Sequence, residues 1–404
     1  MHEHILKSGK AYLWIAFTGI LFLPFFSYLF PFIDRSILNI VSVSLCLVIA
    51  SFINKPVWSS YFNVLVLLGA ILILFIQLAK TSLTFGMYDG AASFLRYVLY
   101  LVMILQFRKT GVGLLEFKVF LFVSCALAAL SIFIGLVSDQ YIFLNGQDRF
   151  MGSSHSPAAL SMQLAIAITL IAVSFKQGLN LRAGSRRMLL SSLFLIGCFF
   201  LFLYALIETG SRQPLLGVMV VLLIVLYKDY RKFLFFSLPI LLIVLVNFID
   251  VNHILDSRLV SSILNILDAS TLGEIRGGSI MSRVNYFIVG VTYIFDNDLM
   301  FGAGLNAFPG IYASVTGKYG VAPHNDLLLL IVDFGYIGAL IIVLPLIYAV
   351  VKSIKNKHIA QLIVFVLWAV GLSLNNIVYY YPILTSLIVL FYLSKSNDSH
   401  NKIT

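Results

Sequence analysis

Charge is scarce in this chain. Asp, Glu, Lys and Arg together make up 11% of its 404 residues, against roughly 25% in soluble domains. With hydrophobic residues at 60%, an ordinary water-soluble domain is excluded. Cysteine is scarcer still. Cys46, Cys125 and Cys198 all fall in apolar runs, and no two share a metal-type spacing, so they are expected to pack rather than bridge or ligate. No His, Cys, Asp and Glu stand at the spacing of a metal-ligand set. A phosphate-cradling glycine loop, a dinucleotide fingerprint and a Gly-x-Ser-x-Gly elbow are all missing. Neither metal nor cofactor is therefore expected, and no soluble nucleotide donor. Strict alternation of apolar and polar residues is missing too, which excludes a membrane β-barrel. Internal repeats and low-complexity segments are lacking.

What is present is a series of continuous apolar runs, many close to the roughly 20 residues that cross a bilayer as a helix. They predict an all-α polytopic membrane protein with about 12 transmembrane helices. The helices are expected near 11–31, 36–53, 61–79, 91–107, 115–137, 157–175, 188–207, 213–227, 232–249, 325–351, 358–373 and 380–394. The first follows Lys7 and Lys10 and lacks a small-residue cleavage site, so it is expected to stay uncleaved. Three divisions follow: 1–249 with helices one to nine, 250–323 as a large loop, and 324–404 with the last three helices and a tail.

Charge sets the orientation. With the N-terminus in the cytoplasm, the cytoplasmic segments hold 18 of the 27 Lys and Arg but only 4 of the 17 Asp and Glu. The positive-inside rule then puts both termini in the cytoplasm and the large loop outside. The net charge of +10 is mostly this topology signal, with attraction to anionic membrane lipids as a by-product. Nucleic acid is not an expected partner.

The loop is expected to hold short helices of its own. Ile254, Leu255, Leu259, Ile263, Leu264 and Leu267 recur at helical spacing around Asp256 and Arg258, which predicts an interfacial amphipathic helix. A second is expected over Met281 to Phe295, with Arg283 in its first turn, before Gly302-Ala303-Gly304 breaks the chain; Pro309 and Gly310 follow.

Few arginines lie outside, so each is a candidate. Arg212 follows Thr209-Gly210-Ser211 at an external helix junction. Ser211 can cap the next helix, whose N–H groups with the guanidinium suit a phosphate; the plain alternative is an arginine snorkelling beside Glu208. Arg149 lies in a Gly- and Ser-rich loop, where the alternative is an ion pair with Asp148. Arg96 sits inside an apolar run, and a charge at that depth usually faces a cavity or a partner. Arg283 is a loop candidate whose alternative is a solvated first-turn residue. His324, at the start of helix ten, can accept a proton near neutral pH; the alternative is an ordinary helix start, capped by Asn325 or Asp326.

These elements together resemble a known family. Thr209-Gly210-Ser211-Arg212 resembles the small-Ser-Arg motif of the O-antigen polymerase and ligase family. Arg283 followed by Gly302-Ala303-Gly304-Leu305 is similar to its loop helix and glycine-rich exit. Pro323-His324-Asn325 with Leu327 to Leu330 and Gly335-Tyr336-Ile337-Gly338 is similar to its His-Asn signature, and Arg149-Phe150-Met151-Gly152 to its element before the sixth span. Gln213 stands where the family commonly has glycine.

The resemblance implies glycan transfer at the periplasmic face of a bacterial inner membrane. The implied donor is a glycan on undecaprenyl diphosphate; the acceptor is a lipid-linked repeat for a polymerase, or lipid A–core for a ligase. A chain-length regulator is a further implied partner. Arg212, with Arg149 or Arg283 opposite, would hold the donor diphosphate and His324 would be catalytic, orienting or deprotonating the attacking hydroxyl, with Arg96, Asn325 and Ser211 in support. The polymerase reading is taken, with ligase as its alternative. Two rivals stand further off. A flippase for lipid-linked sugars is expected to show inverted repeats and interrupted helices. A cell-wall synthase of similar topology would use a loop carboxylate such as Asp250, Asp256, Asp268 or Glu274.

Overall fold

The computed structural model describes residues 2–33, 35–53, 60–85, 90–107, 114–144, 147–154, 156–176, 186–226, 279–318, 325–355 and 365–372, together with Pro323, Ile363 and Leu387. Helices dominate: α1 His2–Phe22, α2 Arg35–Ile53, α3 Tyr61–Phe85, α4 Gly90–Phe107, α5 Leu114–Val137, α6 Pro157–Lys176, α7 Arg186–Glu208 and α8 Arg212–Leu226, then α9 Ser279–Asp296, α10 Phe308–Thr316 and α11 Asp326–Lys355. Among the described residues, seven helices are long and apolar enough to cross a membrane, and two shorter apolar ones, Ile37–Ile53 and Gln213–Val225, accompany them. The protein is a multi-pass membrane protein. The spans expected at 232–249 and 380–394 and the amphipathic helix at 251–267 lie outside the described residues, and only part of 358–373 is described.

α6 forms the centre of the bundle. Its membrane-length stretch is 94% buried, because its few polar residues, Ser161, Gln163, Thr169 and Ser174, gather on no one face and it carries Ala159, Ala165, Ala167 and Ala172. A helix without a polar face belongs inside, and small side chains let neighbours approach. α5, α7 and α8 pack around it. α1 packs on α5 and α2, where Trp14, Phe17, Phe107 and Phe120 form an aromatic cluster. A second, smaller core joins α9, α10 and α11 through Ile294, Phe308, Ile311, Leu328 and Val332. α3 is the most exposed span, 17% buried, as expected of a helix facing lipid.

Several local expectations need correction. The chain is not purely helical: β1 Tyr141–Leu144 and β2 Gln147–Phe150 form an antiparallel hairpin. Asn145-Gly146 stands between them in the sequence, and that dipeptide between apolar residues is a strong hairpin signal. A short helix, α10, follows the Gly302-Ala303-Gly304 break, with Pro309 in its first turn, where proline's missing N–H costs nothing. α9 begins at Ser279, which moves Arg283 out of the first turn. Lastly, α11 is interrupted. Gly335 has φ 71 and ψ 178, a conformation outside the helical region that only glycine adopts readily. The sequence had given no sign of a broken span.

Candidate functional site

Two clusters occupy the end of the bundle where α3, α5 and α7 finish and α4, α6, α8 and α11 begin. The first is built on the α7–α8 turn. Thr209 Oγ1 donates to Leu206 O at 2.7 Å and accepts from Ser211 N at 3.2 Å. Gly210, at φ 60, carries the chain round. Arg149 reaches this turn from β2: its Nε donates to Thr209 O at 2.7 Å and its Nη2 to Ser211 Oγ at 3.1 Å. A Cβ on Gly210 would stand 3.2 Å from Arg149 Nε, so the arginine side chain passes close over the glycine.

Strand geometry explains why Arg149 goes there. Successive strand side chains point to opposite faces, so Arg149 and its sequence neighbour Asp148 diverge. Phe150 is buried at the base of the hairpin and its ring lies 5.2 Å from that of Tyr141. The return strand is pinned by Ser153, whose Oγ donates to Phe25 O at 3.0 Å and whose N–H donates to Ser131 O at 3.0 Å. Burial, then the carboxylates of Glu208 and Asp139, push the Tyr141 phenol above its ordinary value. The rim beside Arg149 is thus negative on the Glu208 side and positive on the Arg149 side. Arg212 is the first residue of α8, adjoining Ser211; its side chain lies outside the described part.

The second cluster lies deeper. After α9 the chain folds back into the bundle as the loop 299–307, against α3 and the break in α11. The loop satisfies backbone groups that the break leaves over: Ala303 N donates to Val332 O at 2.9 Å, and Ile337 N to Met300 O at 3.2 Å. α3 supplies the other wall. Gln77 Nε2 donates to Phe301 O at 2.8 Å, Thr81 Oγ1 to Leu305 O at 2.8 Å, and Lys80 Nζ to Gly302 O at 3.5 Å. A Cβ on Gly302 would come within 2.6 Å of Asp333 O, and one on Gly335 would collide with Met300 O. Two glycines therefore let two backbones meet. Irregular backbone at membrane depth is tolerated only where protein covers it, and here it is covered on both sides.

Asp333 closes this cluster. It is fully buried, accepting from Tyr97 Oη at 3.0 Å through Oδ2 and from Asn306 N at 2.9 Å through Oδ1. Asn306 takes a left-handed conformation, φ 56, which turns its N–H toward the carboxylate. Arg96, buried on α4, is near enough for its charge to act on Asp333. Asp333 stands seven residues into α11, about 10 Å along the axis.

The structure therefore joins Arg149 to Ser211, which precedes Arg212, and brings Arg96 and Asp333 into the same buried neighbourhood. Arg283 is half-buried on α9 and engaged with its surroundings. Asn325 is the cap of α11, its Oδ1 accepting from Leu327 N at 2.8 Å and Leu328 N at 3.2 Å. His324 lies outside the described residues. Sequence reasoning missed Asp333, Tyr97, Gln77, Thr81 and Asn306. Asp333 alone carried a usable signal, a solitary carboxylate inside the apolar run after Leu327.

Residues 197–343 match the family model described as O-antigen ligase. The match runs from within α7 to within α11 and so takes in Thr209 to Arg212, Arg283, the 299–307 loop, Asn325 and Asp333. Arg149, Arg96 and Tyr97 fall before it, although their side chains act on residues inside it. No curated protein matches the chain.

Proposed function

We propose, for a chain whose residues 197–343 carry the O-antigen ligase family domain, the transfer of a glycan from a lipid diphosphate to an acceptor sugar hydroxyl at the outer membrane face. The observation that carries this reading is Arg149 seated on the Thr209–Ser211 turn, directly before Arg212 at the start of α8. Two arginines beside a helix N-terminus suit an anion without any metal. The leaving group is a diphosphate, on which negative charge grows as the glycosidic bond breaks. Preorganised cations lower that barrier most where water is excluded.

The remaining roles follow from the chemistry. His324, next to the Asn325 cap, takes the proton from the attacking hydroxyl. Arg283 approaches the diphosphate from α9. The membrane holds donor and acceptor lipids in one plane, which replaces a three-dimensional encounter with a two-dimensional one. The donor is a glycan on undecaprenyl diphosphate in the bacterial inner membrane, and no nucleotide or metal cofactor takes part. Twelve spans, both termini cytoplasmic and a periplasmic loop complete the layout. A reporter placed within 270–320 should behave as periplasmic and one at 182–187 as cytoplasmic; the reverse would sink the orientation and the site with it.

Polymerase and ligase use the same site and differ in the acceptor. We take the acceptor to be a second lipid-linked repeat; the family model's description favours lipid A–core instead. Deleting the gene separates the two. Loss of a polymerase leaves single repeats on the core lipid, whereas loss of a ligase leaves the core bare and polymer on its carrier. Purified protein with a lipid-diphosphate-linked glycan and no acceptor-independent turnover should elongate that glycan or cap the core lipid; transfer of neither kind would refute the reading.

A further inference from the structure

Asp333 calls for an explanation that the diphosphate site does not supply. A carboxylate in a membrane helix is costly unless it is held by donors. It is fully buried, so it does not solvate the helix. Its two oxygens are divided between separate parts of the molecule: Oδ2 accepts from Tyr97 on α4, and Oδ1 accepts from the Asn306 N–H in the loop. Its own backbone borders the break at Gly335, where Ala303 N and Ile337 N bond across loop and helix. Thus one side chain ties α4, the 299–307 loop and α11 together at the point where α11 is not held by its own ladder.

What lies on either side of this tie matters. N-terminal to it are two turns of α11 that end at the Asn325 cap, the residue that follows His324 in the sequence. On α4, the residue before Tyr97 is Arg96, whose charge acts on Asp333. Upstream of the loop is α9 with Arg283, packed on α11. A shift of the loop in its seat would move all three relative to each other, and a misplacement of about 1 Å costs about 100-fold in rate when reacting groups must be aligned.

We propose that Asp333 is the positioning residue of the transferase site: by holding Tyr97 Oη and the Asn306 N–H, it seats the 299–307 loop in the break of α11 and so fixes the first turns of α11 against α4 and α9. Asp333 touches no substrate. It acts through the loop and the helix start. This rests on the transfer reading for its kinetic consequence, but the seating itself does not depend on which reaction occurs.

The test uses full-length protein in lipid nanodiscs, as wild type, Asp333→Ala, Asp333→Asn and Tyr97→Phe. Hydrogen exchange is measured over 299–307 and over α6, and steady-state kinetics with a lipid-diphosphate-linked glycan donor. Asp333→Ala should speed exchange in 299–307 while α6 stays protected. Its kcat should fall about 100-fold with donor KM within about threefold, a split that general unfolding would not give. Asp333→Asn keeps the shape and an acceptor for Asn306 N–H, so it should recover protection and most of kcat. Tyr97→Phe, from the other helix, should fall between. Unchanged exchange in Asp333→Ala, or an Asp333→Asn variant no better than Asp333→Ala, would overturn the proposal. If wild type transfers no glycan, the functional reading fails, while the exchange data still decide the seating.

Discussion

The two clusters at this end of the bundle solve opposite problems. At the α7–α8 turn, a cation from a surface hairpin finds its acceptors in a main-chain carbonyl and a serine hydroxyl. About 10 Å along α11 from its start, a buried carboxyl group finds its donors in a tyrosine and a backbone N–H. The first leaves Arg149 half-buried at the rim, on a turn whose next residue is Arg212. The second removes its charge from solvent altogether. On the proposed reading, one cluster would present groups to a ligand and the other would fix the backbone that presents them. The contrast then separates residues proposed to bind from residues proposed to place.

The largest effect expected of any substitution on the presenting side is at Arg212. Arg212→Ala should lower transfer about 100- to 1,000-fold with the protein still inserted at normal levels. Arg212→Lys should rescue only in part, because an ammonium lacks the planar fork. Glycan made at near-normal amounts in Arg212→Ala cells would move this residue out of the presenting cluster.

Next comes Arg149. Removing it takes both donors from the Thr209–Ser211 turn, and transfer should drop about 100-fold. Arg149→Lys should do little better, since one ammonium cannot meet Thr209 O and Ser211 Oγ in the same flat geometry. A Lys variant indistinguishable from wild type in single-turnover assays would show that only charge matters at this corner.

The placing side should respond in stability before it responds in chemistry. Gly335→Ala forces a Cβ toward Met300 O and a left-handed φ, a strain of about 1–3 kcal/mol. Its unfolding midpoint in detergent should fall clearly below that of a control substitution at Gly197, where a Cβ meets nothing within 4 Å. Equal midpoints would mean that the loop does not sit in the break.

The smallest effect is expected at Asn325. Loss of its cap bonds to Leu327 and Leu328 costs about 1 kcal/mol, and Asn325→Asp should restore it. If Asn325→Ala abolishes transfer while Asn325→Asp does not rescue stability, the amide does more than cap.

Legibility in the sequence tracked how local each feature is. The spans at α2, α4, α5, α6 and α7 lie within a few residues of their expected ranges, since long apolar runs admit few other structures in lipid. α9 was visible through its spacing for the same reason. The hairpin is legible in principle, through Asn145-Gly146, but the glycines and serines around it are equally consistent with a loop that approaches a ligand. The break at Gly335 was not legible. Gly335 and Gly338 both follow Asp333 in the same apolar run, and glycine is common in membrane helices, so nothing local marks which of the two leaves the helix.

Composition and the long apolar runs determined, without any structure, a multi-pass helical membrane protein, and charge asymmetry and motif order set the expectation of an outward loop with polar residues at one face. Those properties depend on transfer between water and lipid, which each segment undergoes nearly alone. The tertiary structure decided that Arg149 lies on the Gly210 turn, that the Gly302–Gly304 loop enters the break in α11, and that Asp333 joins Tyr97 to Asn306. Each of these contacts spans between 27 and 236 residues of sequence. Pairings that distant are selected by packing and by the need to satisfy buried polar groups, and neither is written into any one stretch of chain.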